Sequence, residues 1–404
     1  MKMKLKVLLL SGLCMSLLPV GAALAAGEAK PFPQHTMYTA GTIKPNNVTQ
    51  TAMDNAVKSK WTTWKTNYLK PAGTGKYYVK YNSAGETVSE AHGYGMLLAV
   101  MMAGADTNAQ TYFDGLYRYF REHPSAINAN LMAWKQNSSF QNIEGEDSAT
   151  DGDMDIAYSL LLAHRQWGSA GTINYLAEAK KVINAIMQSE VNQTRWTLRL
   201  GDWATSGNWG SATRPSDFML NHMKAFKAAT GDTKWDNVTN QTYSIINTIF
   251  ANNSSATGLM PDFVIYQNNA YVPAPANFLE SGNDGSYYYN SCRTPWRITT
   301  DYLISGDTRA LNQINKLNSW IKTKTSNNPS SIMDGYTLSG SAVGDYNSGA
   351  FYAPFGVSAM TSSANQSWLN AIWTKTAGSA SEGYYEDSIK LFSLLVMSSN
   401  WWTY

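Results

Sequence analysis

Residues 89–103 read Ser-Glu-Ala-His-Gly-Tyr-Gly-Met-Leu-Leu-Ala-Val-Met-Met-Ala. A helix over this stretch has almost no polar face, and Ala91, Gly93, Gly95, Ala99 and Ala103 let it pack closely on several sides, as an inner helix must. The run Met96 to Met102 is read as core filler. Upstream, Asp54 to Leu69 repeats Val57, Trp61, Trp64 and Tyr68 at helical spacing with a charged opposite face, which suits an outer helix and assigns Trp61 and Trp64 to packing. Similar segments at 107–122, 150–168, 172–189, 216–230, 233–250, 292–305, 308–324, 346–361, 366–376 and 382–398 bring the total to twelve. An all-α barrel of six helical hairpins accommodates this alternation; an irregular α-solenoid satisfies the same periodicity. The connections 70–88, 124–148, 190–215 and 252–290 are long and rich in Gly, Asn, Ser, Trp and Tyr, as functional loops are. Patches such as Tyr77 to Tyr81 and Trp196 to Leu200 predict minor β-hairpins within them.

The chain has 404 residues, 44% hydrophobic and 15% charged, which fits a globular protein and excludes disordered and fibrous classes. Its 14 Trp, 24 Tyr and 12 Phe supply rings for a surface as well as a core, and a sugar-binding cleft is one such surface. Met1 to Ala25 carries Lys2, Lys4 and Lys6, an apolar run to about Val20 and Ala23-Leu24-Ala25, the pattern of a secretory signal. Residues 26–404 are then expected as one secreted, extracellular domain, with no membrane span and acting as a monomer. Without the signal, 28 basic side chains face 29 acidic ones, and no dense Lys/Arg run supports a nucleic-acid partner. Cys14 leaves with the signal and Cys292 remains alone, so the mature chain is expected to be held by packing without an internal disulfide.

The five histidines are scattered, with no His-Glu-x-x-His and no cysteine pair, so no metal and no cofactor is expected. Asp151-Gly152-Asp153-Met154-Asp155 imitates the start of a calcium loop but has Ile156 at position six and Leu162 at position twelve. Carboxylates at two helix starts are the remaining candidates. Ser89 can cap a helix with Glu90 in its first turn, where Glu90 either compensates the helix dipole or faces a ligand in the room left by Ala91, Gly93 and Gly95, beside the rings of His92 and Tyr94. In the second segment helical rotation puts Asp151 and Asp155 on one face and Asp153 opposite. Three acids in one turn repel one another, so they form either a charge cluster with a specific partner or a site.

The run Ala149-Thr150-Asp151-Gly152-Asp153-x-x-Ile156-Ala157-Tyr158-Ser159-Leu160-Leu161-x-Ala163-x-x-x-Trp167 resembles the signature of glycoside hydrolase family 8. So do Ser89 to Gly95, Leu131 to Trp134, Gly201-Asp202-Trp203, Arg214-Pro215-Ser216 and Arg293-Thr294-Pro295-Trp296-Arg297, and the similarity covers essentially the whole mature chain. The resemblance implies a single (α/α)6 barrel, Glu90 as general acid and Asp151 as the aspartate at the cleavage subsite. The best-known members place the base Asp just before the Arg-x-Pro-Trp-Arg segment, where this chain has Asn290, which cannot accept a proton. A branch that includes chitosanases and lichenases shares the Asn and takes its base from a Glu on the loop upstream. On this likeness Glu280 is assigned as base, with Asp284 and Asp262 as the other candidates.

The resemblance also implies inversion, with one acid protonating the leaving oxygen and one carboxylate activating water, the two roughly 6.5–9.5 Å apart. Glu90 must then be protonated against the pull of its helix N-terminus, by burial and the charge of Asp151. Trp134, Tyr94, Trp203, Trp209, Asn290, Arg293 and Tyr384 are the candidate substrate-binding residues. The expected partner is a β-1,4-linked polysaccharide: chitosan with accompanying β-glucan ranks first, and an endoglucanase or lichenase without chitosanase activity second. A non-catalytic polysaccharide-binding protein on the same scaffold is the more remote reading.

Overall fold

The structure, a computed structural model, describes residues 27–404. The expected signal over residues 1–25, including Cys14, lies outside the described residues. Among the described residues twelve α-helices run in chain order: α1 Gln50–Tyr68, α2 Ser89–Met101, α3 Ala109–Glu122, α4 Thr150–Trp167, α5 Tyr175–Ala185, α6 Leu220–Thr230, α7 Lys234–Asn253, α8 Thr294–Ser305, α9 Leu311–Lys324, α10 Gly349–Ala359, α11 Gln366–Gly378 and α12 Tyr384–Met397. Each overlaps one of the twelve segments read from the sequence. Three of the trims have a local cause: 216–219 is taken up by a 3-10 turn at Pro215–Asp217 and its exit, 186–189 by a π-helical turn at Ile186–Glu190, and α10 starts only where Ser348 caps it by accepting from the Ala350 N–H.

The helices alternate in two layers. Even-numbered helices form the inner ring, with α2 packed on α4, α4 on α6, α6 on α8, α8 on α10 and α10 on α12. Ring contacts of Tyr94 in α2 with Phe392 and Tyr384 in α12 close it, the first at 5.0 Å between centroids. Odd-numbered helices lie outside and bury one face only; α1 buries Met53, Asp54, Val57, Trp61 and Trp64, whereas every residue of α10 is buried. The first outer helix packs against the last inner one, and the Trp64 indole N–H donates to Ser388 Oγ at 2.8 Å. That meeting of the chain's two ends decides for a closed (α/α)6 barrel over an open solenoid.

The small residues of α2 serve the ring and not a ligand. A Cβ on Gly93 would lie 2.7 Å from Asp155 Cβ, and one on Gly152 would lie 2.6 Å from the Ser89 carbonyl carbon, so α2 and α4 touch nearly backbone to backbone. His92 is likewise buried, its Nε2 within 3.0 Å of the Leu116 carbonyl of α3. Ser89 does not cap α2 either. It is the first helical residue, its N–H donating to the Trp134 carbonyl at 2.8 Å.

Four antiparallel two-stranded ribbons sit in the connections: β1 Leu69–Pro71 with β2 Tyr77–Val79, β3 Thr87–Val88 with β4 Lys135–Gln136, β5 Val191–Asn192 with β6 Thr197–Leu198, and β7 Val264–Gln267 with β8 Ala270–Pro273. The β3–β4 ribbon delivers the chain into α2 with Trp134 alongside. The β7–β8 hairpin opens the loop that carries Glu280.

Candidate active site

A cavity of about 530 Å³ opens where the N-terminal ends of α2, α4, α8 and α12 converge. Glu90 comes from the first turn of α2 and Asp151 from that of α4. Asn290 and Arg293 come from the 3-10 turn leading into α8, Tyr384, Tyr385 and Glu386 from the start of α12, and Trp134, Arg214 and Glu280 from loops. Four inward-pointing helix N-termini favour negative charge, which explains why carboxylates gather at this end.

Arg293 organises the floor. It is 1% exposed, and one guanidinium nitrogen donates to Glu90 Oε2 at 2.8 Å and Asp151 Oδ2 at 3.0 Å. The other donates to Ser216 Oγ and Asn290 Oδ1, both at 3.0 Å. The Asn290 amide in turn donates to Glu280 Oε2 at 2.8 Å. A continuous chain Glu90, Arg293, Asn290, Glu280 therefore spans the cavity, with the two glutamates separated by a guanidinium and a carboxamide. Asn290 uses both ends of its side chain here, one to accept from the arginine and one to donate to the glutamate. An aspartate there could not donate to Glu280 in its ionised form.

The carboxyls are tuned apart. Burial pushes Glu90 up to about 7; the charge of Arg293 opposes this and that of Asp151 adds to it. Its second oxygen accepts from the Tyr384 hydroxyl at 3.0 Å. Burial and the neighbouring Glu90 charge raise Tyr384 well above the usual phenol range, so it stays a donor. Burial also works to raise Asp151, but Arg214 at 2.9 Å and Arg293 outweigh it and hold the carboxyl down at about 2. The face assignment along α4 holds: Asp151 and Asp155 both turn to arginines of the α8 segment, Asp155 pairing with Arg297 and His222, while Asp153 accepts from the Met132 N–H at 2.9 Å.

Of the three candidate bases, only Glu280 lines the cavity, on an exposed loop. Asp284 is fully buried and accepts from the N–H groups of Leu279, Glu280 and Ser281 at 2.6, 3.0 and 2.8 Å, so it folds the loop under Glu280. Asp262 is 2% exposed and accepts from the N–H groups of Tyr288, Asn290 and Ser291 and from Ser291 Oγ, so it fixes the backbone of Asn290.

Among the expected substrate contacts, Trp134 lines the cavity half-buried, its indole N–H donating to the Glu144 carbonyl at 2.9 Å, and Asn290, Arg293 and Tyr384 line it too. Tyr384 is 4% exposed, and its hydroxyl donates to Glu90. Tyr94 is a correction. It has no exposed surface and lies below the floor, where its hydroxyl accepts from Arg293 at 3.3 Å, because α2 turns it toward the barrel axis and Phe392. Trp203 and Trp209 lie outside the cavity lining, half-buried against a small apolar cluster of Leu200, Ala204, Ala212, Phe263 and Ala274; the Trp209 ring packs 4.8 Å from Phe278, two residues before Glu280.

Sequence reasoning missed Arg214, although its segment was among those noted; its charge partner Asp151 is far away in the chain. Tyr81, Tyr289, Tyr385 and Glu386 also line the cavity without having been singled out. Among the described residues no group of three or more His, Cys, Asp or Glu side chains is arranged to hold a metal ion, and no helix is long and apolar enough to cross a membrane.

Comparison with known proteins adds the lineage. The family model for glycosyl hydrolases family 8 matches residues 30–399. A beta-glucanase of Niallia circulans is 69% identical over 399 residues, covering 99% of this chain and 97% of the relative. An endoglucanase of Bacillus sp. strain KSM-330 is 44% identical over 389 residues, covering 93% and 82%. The solved apo structure of a beta-1,3-1,4-glucanase from Paenibacillus sp. X4 superposes with a TM-score of 0.93 at 72% identity, covering 93% of this chain and all of that one.

Proposed function

Because the chain belongs to glycosyl hydrolases family 8, we propose that it is an endo-acting β-glucanase that cleaves mixed-linkage β-1,3-1,4-glucan and related β-1,4-glucans by inversion. The observation that carries this reading is the chain Glu90, Arg293, Asn290, Glu280 across one cavity, with a carboxyl raised to about 7 at one end and a loop carboxylate at the other.

Glu90 is the general acid. Near neutrality it retains a proton that it can give to the glycosidic oxygen, and Tyr384 and Arg293 fix its orientation. Glu280 is the base, and the Asn290 amide aims it at a water on the opposite face of the sugar. Asp151, ionised between Arg214 and Arg293, carries the charge that discourages Glu90 from ionising and faces the positive charge that develops on the sugar at the cleavage subsite. Trp134 offers a ring face to a pyranose. Two carboxyls and a water suffice for this chemistry, so no step requires a cofactor.

The sequence placed chitosan first and glucan without chitosan second. The second reading now leads, because the beta-glucanase and endoglucanase relatives and the beta-1,3-1,4-glucanase structure support it and none of them is named for chitosan. Residues 26–404 act as one catalytic domain, exported by the signal at 1–25 and working as a monomer on extracellular polysaccharide. Reducing-end release by the purified protein on lichenan, carboxymethylcellulose and chitosan tests the substrate order. Lichenan is expected to be turned over fastest and chitosan slowest; a chitosan rate above the lichenan rate would restore the first order.

A further inference from the structure

Beyond Tyr81, Gly383 and Tyr384 the active-site cavity continues into a second one of about 440 Å³, which shares those three residues with it. The remaining lining is Thr66, Asn67, Tyr68, Lys70, Lys80, Asn82 and Ser83. The two cavities differ in charge. The first is lined by Glu90, Asp151, Glu280 and Glu386 against Arg214 and Arg293, an acidic balance of four to two. The second has two lysines and no acidic side chain.

Among the described residues no acidic side chain pairs with either lysine. Lys70 Nζ donates to the Thr66 carbonyl at 2.6 Å, which orients the ammonium without cancelling its charge. The nearby acids are engaged elsewhere: Glu86 with Tyr81, Asn82 and Lys135, and Asp387 with Tyr68 and Lys390. Asparagine, serine, threonine and tyrosine groups complete a surface suited to pyranose hydroxyls, since each can donate as well as accept. The cavity's continuity through Tyr81 and Tyr384 places it on the path of a polymer already seated at Glu90.

We propose that this groove is an outer subsite that selects the glucan chain by charge: it takes pyranose units that are neutral or carboxylate-bearing and disfavours ammonium-bearing ones. The proposal rests on the glucanase reading and deepens it, because two cations at the cleft's end oppose a glucosamine polymer. Lys70 and Lys80 touch neither Glu90 nor Glu280, so their replacement leaves the catalytic groups in place.

The test compares the wild type with Lys70→Glu/Lys80→Glu and Lys70→Gln/Lys80→Gln, each checked for unchanged melting temperature. Exposed charge pairs are worth a few-fold each, so the charge-reversed variant is expected to lose about tenfold in kcat/KM on carboxymethylcellulose at low salt, to stay within about twofold on lichenan and to gain on chitosan. The neutral variant is expected between the two, and about 0.5 M salt is expected to erase the differences by screening. An unchanged ratio of carboxymethylcellulose to lichenan activity in the charge-reversed variant would overturn the proposal. Affinity gels provide a readout without turnover: in a Glu90→Gln background, carboxymethylcellulose is expected to retard the protein more than neutral hydroxyethylcellulose, and the lysine reversal to remove that difference. If the wild type cleaved no glucan the proposed activity would fall, and the gel would still decide the groove, with equal retardation by both polymers counting against it.

Discussion

The two ends of the proposed catalytic chain, Glu90 and Glu280, are built in opposite ways. Glu90 stands on an inner helix whose next turns are locked against α4 by the glycine contacts at Gly93 and Gly152, and it is 16% exposed. Glu280 stands on an exposed loop shaped from beneath by one buried carboxylate, Asp284. The proposed acid must keep a proton near neutrality, which needs burial and a fixed set of charges; the proposed base must meet water, which an open loop allows. Rigidity and desolvation go with the first task, exposure with the second.

The largest effect that would break this comparison lies at the helix end. Glu90→Gln keeps the shape and removes the proton, and is expected to lower kcat on lichenan by about 10³-fold with KM little changed; a loss under tenfold would place the acid elsewhere. At the loop end, Asp284→Asn turns an acceptor of three N–H bonds into a poorer one and leaves Glu280 in place. Its expected cost is about 10–100-fold in kcat, partly restored by Asp284→Glu, whereas equal loss in both variants would reduce Asp284 to a folding role.

A smaller effect sharpens the electrostatics of the acid. Glu90 sits at about 7, so its protonated form, and with it kcat/KM, is lost as pH rises through that value. Asp151→Asn removes a nearby negative charge and leaves Arg293 less neutralised, so the basic limb is expected to move to lower pH, on top of a lower rate. A limb that stays in place would show that Asp151 does not tune the acid. The smallest effect concerns stability beneath the site. Glu190, buried at the end of a π-helical turn, is raised to about 8 by burial, and the buried Asp153 is raised too. A raised carboxyl stabilises the fold while neutral, so this contribution is present at low pH and lost as pH rises through about 8. The melting temperature is expected to fall by about 2 °C between pH 7 and 9 in the wild type and by less in Glu190→Gln.

What was legible in the sequence was what is local. Twelve helices, the inner character of α2 and the split of Asp151 and Asp155 from Asp153 follow from periodicity within single segments. The site is assembled from partners far apart in the chain: Arg293 lies 203 residues from Glu90, and Tyr384 lies 294. Spacing cannot announce such pairs, which is why Tyr384 read only as a candidate substrate-binding residue and Arg214 was given no role. Ala91, Gly93 and Gly95 were visible as small residues, but whether their space admits a ligand or a neighbouring element depends on what packs there. Glu280 is a different case. Its segment has no distinguishing local pattern, and only the likeness to a family branch that shares Asn290 singles it out; the geometry beside that likeness is the hydrogen bond from the Asn290 amide to the Glu280 carboxylate.

The central claim is that the cavity holds one acid and one water-activating base, with no carboxylate attacking the sugar. Proton NMR of the anomeric signals in the first minutes of lichenan hydrolysis tests it directly. Inversion predicts that the new reducing ends emerge as the α anomer and drift toward equilibrium. Initial appearance of the β anomer would contradict the account, since it would require a covalent glycosyl intermediate and make Glu280 a nucleophile.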